Sequence, residues 1–263
     1  VYEFNFETGS WIQLGSDIDG EAQGDNFGYS VSLSSDGKRV AAGARYNDGN
    51  GTSAGHVRVF EYDPGSDNWT QLGLDIDGED DDDNSGVSVS LSSDGKRVAV
   101  GAPGNDGNGA DSGHVKVYGY DSASEIWIQL GFDINGEAAE DNSGYSVSLS
   151  SDGKRVAIGA IFNDGNANDS GHVRVYDYES GTDNWTQMGL DIDGESAEDN
   201  SGYSISLSPD GTRMSIGAIF NDGNGSGSGH VQVYEFNYIT SSWTQLGLDI
   251  DGEAAGDLSG YSV

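Results

Sequence analysis

Cysteine is absent from the 263-residue chain, proline occurs three times, and 11 lysines and arginines face 45 aspartates and glutamates. Each shortage excludes something. Without cysteine there is no disulfide and no thiolate chemistry. A formal charge of −34 repels phosphate backbones and anionic bilayers, which removes nucleic acid from the possible partners. No apolar run approaches the roughly 18 residues that mark a membrane-spanning helix. No initiator Met or signal segment precedes Val1-Tyr2-Glu3-Phe4, so the chain reads as a mature product or a piece of something longer. Disorder is also excluded, because 13 Tyr, 8 Phe and 5 Trp supply apolar surface.

Those aromatic residues are regularly placed. Trp11, Trp69, Trp127, Trp185 and Trp243 are each 58 residues apart, and His56, His114, His172 and His230 keep the same step. So do Asp36, Asp94, Asp152 and Asp210, each followed by Gly. A fixed period is the mark of a repeat architecture. About four and a half units fill the chain without a linker.

Each unit offers four strands. In the unit starting at Gly144 these are Tyr145 to Leu149, Arg155 to Ala160, His172 to Tyr178 and Trp185 to Leu190. The first alternates large residues with serine. The third changes its apolar side partway, which fits a strand covered on both faces or a bulge near Tyr176. Four antiparallel strands repeated in tandem predict an all-β fold, a β-propeller of four-stranded blades. The expected complete blades are 28–85, 86–143, 144–201 and 202–259, with partial blades at 1–27 and 260–263. A closed five-bladed ring would lack one strand, so an arc of a larger ring is the favoured form. The small Ser residues of each first strand suit the crowded axis, and the Trp ladder suits packing between sheets.

Phe27-Gly28 followed by Gly43-Ala44, and Ser85-Gly86 followed by Gly101-Ala102-Pro103, resemble the FG-GAP repeat of integrin α-chain heads and related secreted propellers. The later units carry the pattern as Ser143-Gly144 with Gly159-Ala160 and Ser201-Gly202 with Gly217-Ala218. The resemblance implies a propeller used in adhesion, sugar binding or scaffolding, with calcium in a first hairpin rich in aspartate. Here that hairpin is Ser34-Ser35-Asp36-Gly37-Lys38, with one carboxylate, too few oxygens for a hard cation. Asp36, Asp94, Asp152 and Asp210 are therefore expected to form turns.

Following strand direction places two acid-rich connections on one face: the loop between second and third strands, and the link to the next blade. The link supplies the candidate metal ligands Asp17, Asp19, Glu21 and Asp25, then Asp75, Asp77, Glu79 and Asp83. Asp133, Glu137 and Asp141 follow, then Asp191, Asp193, Glu195 and Asp199. The expected ion is calcium, with a solvated acidic rim as the alternative. Asp80-Asp81-Asp82-Asp83 is the densest run and the one expected to need a counter-ion. The histidines, a full period apart, are expected to be hydrogen-bonded blade residues, and the Ile of each link (Ile18, Ile76, Ile134, Ile192, Ile250) a core plug.

No nucleophile elbow, His-Glu-x-x-His or phosphate loop is present. Units this alike carry no evident broken symmetry, so no enzyme is expected. Sequons at Asn50, Asn68, Asn168, Asn184 and Asn224 suit an extracellular or cell-surface glycoprotein. The expected function is a non-enzymatic adhesion or structural module, calcium-supported, within a larger cell-surface or fibre-forming protein. Its partners would be proteins or glycans at the cell surface, other domains, or copies of itself. The alternative is a lectin-like glycan-binding propeller using Tyr46, Phe162 and Phe220.

Overall fold

A computed structural model describes all 263 residues. The four units fold as four separate sheets, here blades I to IV. In blade III the strands are Ser143–Leu149, Arg155–Ala160, His172–Glu179 and Asn184–Gln187, paired antiparallel in that order. A two-residue fifth strand, Ile192–Asp193, continues the outer edge by pairing with Val173 and His172. The Ile of this strand is buried in blades I to III, as a plug should be, whereas Ile250 at the open end is exposed and Ile18 half-buried. A two-stranded hairpin, Tyr2–Asn5 with Ser10–Gln13, precedes blade I, and Ser259 bridges to Gly229 beyond blade IV. The chain is an incomplete propeller: four whole blades flanked by parts of two more.

The third strand pairs without interruption from His172 to Asp177. Its bulge lies elsewhere, in the first strand between Ser143 and Ser146, where Gly144 has φ +89°. The mixed pattern of the third strand therefore reflects cover on both faces. Val173 and Val175 join a ten-residue cluster with Ile205, Leu207, Met214 and Ile216 of the next blade, whereas Tyr176 and Tyr178 pack toward the blade before. Burying each such aliphatic side chain contributes about 1.5–3 kcal/mol.

Blades also hydrogen-bond to one another at the repeat spacing. Ser30, Ser88, Ser146 and Ser204 each donate Oγ to a glycine carbonyl of the following blade, at 2.6–2.7 Å. Ser32, Ser90 and Ser148 each accept from a Leu amide of the following blade at 2.9 Å. The serines thus bind as well as fit. Trp69, Trp127, Trp185 and Trp243 donate Nε1 to a backbone carbonyl of the unit before, at 2.7–2.9 Å. The paired glycines have a shared cause. A Cβ on Gly43 would lie 2.1 Å from Gly86 O, and the same clash recurs at Gly101, Gly159 and Gly217. The second glycine of one unit and the first glycine of the next are therefore the two sides of one backbone contact.

The arc has open ends. Leu149 is 7% exposed, but its equivalent Leu33, which has no whole blade before it, is 49% exposed. Trp11 at the first hairpin is likewise exposed. The Asp-Gly turns are as expected: Asp36 accepts from Ser34 Oγ at 2.7 Å and Lys38 N at 3.0 Å.

Two outcomes follow. Leu149→Ala should cost about 2–5 kcal/mol and Leu33→Ala less than about 0.5 kcal/mol in urea unfolding; equal costs would mean a closed ring. Asp210, held by Ser208 and Thr212, has its carboxyl lowered to about 2. Because the folded value is depressed, its contribution is complete above the unfolded value of about 4 and fades as pH falls through about 2. Carboxyl NMR titration should show this, with Ser208→Ala moving the midpoint upward.

Candidate metal centres between the blades

The two acid-rich connections do lie together. Asn50 Nδ2 donates to Gly78 O at 2.7 Å, and Asn108, Asn166 and Asn224 repeat the bond to their own links. In the first four links the last aspartate (Asp25, Asp83, Asp141, Asp199) is buried and hydrogen-bonded. Asp83 accepts from the amides of Glu79 and Asp80 at 3.0 and 3.1 Å and from Asn105 Nδ2 at 3.2 Å. Asp25, Asp141 and Asp199 hold the matching Asn47, Asn163 and Asn221 at 2.8–3.0 Å. Asp81 accepts from Thr52 N at 2.8 Å. Within the Asp80–Asp83 run, amide groups thus hold the carboxylates of Asp81 and Asp83.

A different set of donors converges at each junction. Glu21, His56 and Asp75 bring one ligand atom apiece within 4.8 Å of one another, and so do Glu79–His114–Asp133, Glu137–His172–Asp191 and Glu195–His230–Asp249. The glutamate comes from the preceding link. The histidine opens the third strand, and the aspartate ends the turn after the fourth. In register, His56 pairs with Asp77, which folds the link back across it. Gln71, Gln129, Gln187 and Gln245, four residues earlier, hold the aspartates at 2.5–2.7 Å. Every histidine is buried and every glutamate exposed, so each site has a dry floor and an open rim. Burial holds His56, His114 and His172 below the usual imidazole value, which favours the neutral, ligating form. Each blade thus carries a Glu-His-Asp triad capable of coordinating a metal ion.

A side chain two residues after the histidine reaches the same carboxylates. Arg58 approaches Glu21 at 3.5 Å; Lys116 pairs with Glu79 and lies 3.8 Å from Asp133. Arg174 pairs with Glu137 and with Asp191 at 2.9 Å. In blade IV the position is Gln232, whose amide donates to Glu195 and Asp249 at 3.0 Å each. Burial, helped by Glu195 and Asp249, raises the Tyr234 hydroxyl to about 12. It therefore stays protonated and donates to Gln232 Oε1 at 3.0 Å.

The sequence reading named the glutamates and aspartates of these triads but assigned the histidines to the blade framework. A histidine one period from its nearest copy cannot share an ion with it. The available signal was the constant offset from Glu to His and from His to Asp across consecutive units. The other candidate ligands lie apart from the triads: Asp17 accepts from Gln13 at 2.8 Å, Asp19 offers its carbonyl to Arg58, and Asp77 and Asp193 are exposed on the short fifth strands. Among the sequons, Asn50 and Asn224 spend their amides on the link, Asn168 bonds Asp169, and Asn68 and Asn184 are exposed. Phe162 and Phe220 line one cleft of about 430 Å³ with Asp169, Glu198, Asn200 and Asp222, while Tyr46 lies apart, under Arg45.

The FG-GAP repeat, as a family model, matches residues 17–60 and 135–176, about one third of the chain. No curated protein matches the sequence. Among solved structures, the periplasmic gluconolactonase of Pseudomonas aeruginosa is similar, at TM-score 0.59 and 17% identity over 95% of this chain and 63% of that one. A candidate 6-phosphogluconolactonase from Bacteroides fragilis gives TM-score 0.58 at 14% identity, over 96% of this chain and 65% of that one. A Lactobacillus plantarum protein gives 0.57 at 14%, over 94% and 61%. This chain spans less than two thirds of each of these three chains.

These findings correct two expectations. The integrin-like resemblance does not carry over: the glycines that suggested it are a packing device between blades, and two of the three propellers that superpose along the chain bear gluconolactonase names. The reading as a non-enzymatic adhesion, structural or lectin-like module is overturned with it, because each junction holds a metal-competent polar triad and two of these structural neighbours carry enzyme names. No helix is long and apolar enough to cross a membrane.

Asp83→Ala should destabilise the chain by about 1–3 kcal/mol, since three buried donors lose their acceptor. A melt of the native chain with and without chelator in calcium buffer isolates the ion-free contribution of this link; a chelator-dependent loss as large as that of Asp83→Ala would show that the amides do not suffice.

Proposed function

We propose that the chain is part of a metal-dependent β-propeller hydrolase acting on small cyclic esters of the lactone type. The observation that carries this reading is the triad itself: one buried imidazole and two carboxylates around a point with an open rim. Three protein donors of nitrogen and oxygen type leave coordination positions for water and substrate, as catalytic centres do and closed structural sites do not. The nitrogen donor and the small oxygen count favour a divalent transition metal over calcium, which takes six to eight oxygens. When bound, such an ion supplies a Lewis acid and a water of lowered pKa.

The chain's own residues provide the rest. Gln71 and its equivalents orient the aspartate, the buried histidine excludes water from one side, and the exposed glutamate borders the approach from solvent. In the reaction, water adds to the ring carbonyl, the acyl–oxygen bond breaks, and a hydroxycarboxylate and a proton leave. The gluconolactonase names of the structural neighbours support the substrate class. The proposed setting is extracellular, motivated by the exposed sequons at Asn68 and Asn184.

The test is a pH-stat assay of δ-lactone opening by the chelator-treated chain, before and after addition of zinc or manganese. Turnover should appear with metal and fall at least about 10-fold when the triad histidines are replaced by glutamine. Opening no faster than in buffer, with metal bound, would overturn the reading.

A further inference from the structure

We infer that the four triads are not equivalent, and that Glu195–His230–Asp249, between blades III and IV, is the chain's transition-metal site, with Gln232 as the residue that leaves it open. This rests on the triads being metal centres, and narrows the proposal from four places to one.

The argument begins from charge. At three junctions a built-in cation lies against the acids an ion would use: Arg58 at Glu21, Lys116 at Glu79 and Asp133, Arg174 at Glu137 and Asp191. Arg58 and Lys116 are themselves buried, so an arriving dication would meet a like charge with little water to screen it. A guanidinium or ammonium has only donors and cannot turn an acceptor toward a metal.

At the fourth junction the balance differs. Glu195 and Asp249 enter no ion pair, and the group between them is a neutral amide at 3.0 Å from each. Gln232 is 2% exposed, so its place is built, and Tyr234 fixes the amide by donating to its oxygen. An amide carries an acceptor as well as donors, and it imposes no net charge on an incoming ion. Two uncompensated carboxylates therefore face the pocket.

A second observation points to a ligand there. His230 is 2% exposed, and its buried Nδ1 has no hydrogen-bond partner, while a ring nitrogen stands within 4.8 Å of both carboxylates. His56 and His172 also have an unpartnered nitrogen, but Arg58 lies against Glu21 at the first junction and Arg174 against both acids at the third. Only the fourth junction combines an unpartnered histidine with carboxylates free of a built-in cation.

The test counts zinc on the whole chain by calorimetry and by elemental analysis after desalting, in physiological saline with excess magnesium to suppress loose surface binding. The native chain should retain one equivalent. Gln232→Arg, or Gln232→Lys if the first fails to fold, should weaken it at least about 100-fold. Arg174→Gln should create a second equivalent at Glu137–His172–Asp191, a gain that misfolding cannot produce. Four equal equivalents, retention by Gln232→Arg, or no gain in a folded Arg174→Gln would each overturn the inference. One equivalent bound at this site without lactone turnover would leave it standing and remove the proposed reaction instead.

Discussion

Backbone of one blade touching backbone of the next, Gly43 against Gly86 and its three repeats, is the constraint on which the arrangement depends. At that distance no side chain fits on either partner. The serines to each side then find carbonyls and amides of the neighbour within hydrogen-bond reach, and the tryptophans reach back to the unit before. Once the contact is set, each junction becomes a copy of the one before. A glutamate from one link is carried to the histidine and aspartate of the next blade by the same step that brings the glycines together. The triads are thus a consequence of the packing, and no blade alone contains one.

A chain with so large an acidic excess must dispose of its charge locally. It does so in two ways. In the links, the innermost carboxylate is tied to backbone amides and an asparagine, which stabilises the anion without a cation. At the junctions, scarce basic residues are placed two positions after the histidine, where one cation serves acids from two blades. The second arrangement fails at Gln232, where a neutral amide takes the place of the cation. A single substitution there separates a self-neutralised junction from one with charge to spare.

The period, the four strands and the common side of the two acidic connections were legible because each rests on local pattern: Trp and His at a constant step, serine alternation, Asp-Gly turns. The bulge was expected near Tyr176, where polar and apolar residues change sides, but it lies at Gly144, where positive φ permits it. The side change at Tyr176 came from having a blade on each face, which no single strand records. Two of the three residues of each triad were legible as acidic sequence. The histidine was not, because its partners come from the preceding link and from the far side of its own sheet.

That same geometry shows why near-identical repeats are weak evidence against chemistry. The expectation of a non-enzymatic module assumed that a site must announce itself by a unit unlike the others. A site formed between units needs no such departure, since both halves can be repeated faithfully and still meet. What selects one junction from four is then a change of charge at one buried position, too small to disturb the fold and too local to alter the period. In this chain that position is occupied by Arg, Lys, Arg and Gln in turn, a sequence of four letters whose meaning depends on the carboxylates facing them from the blade before.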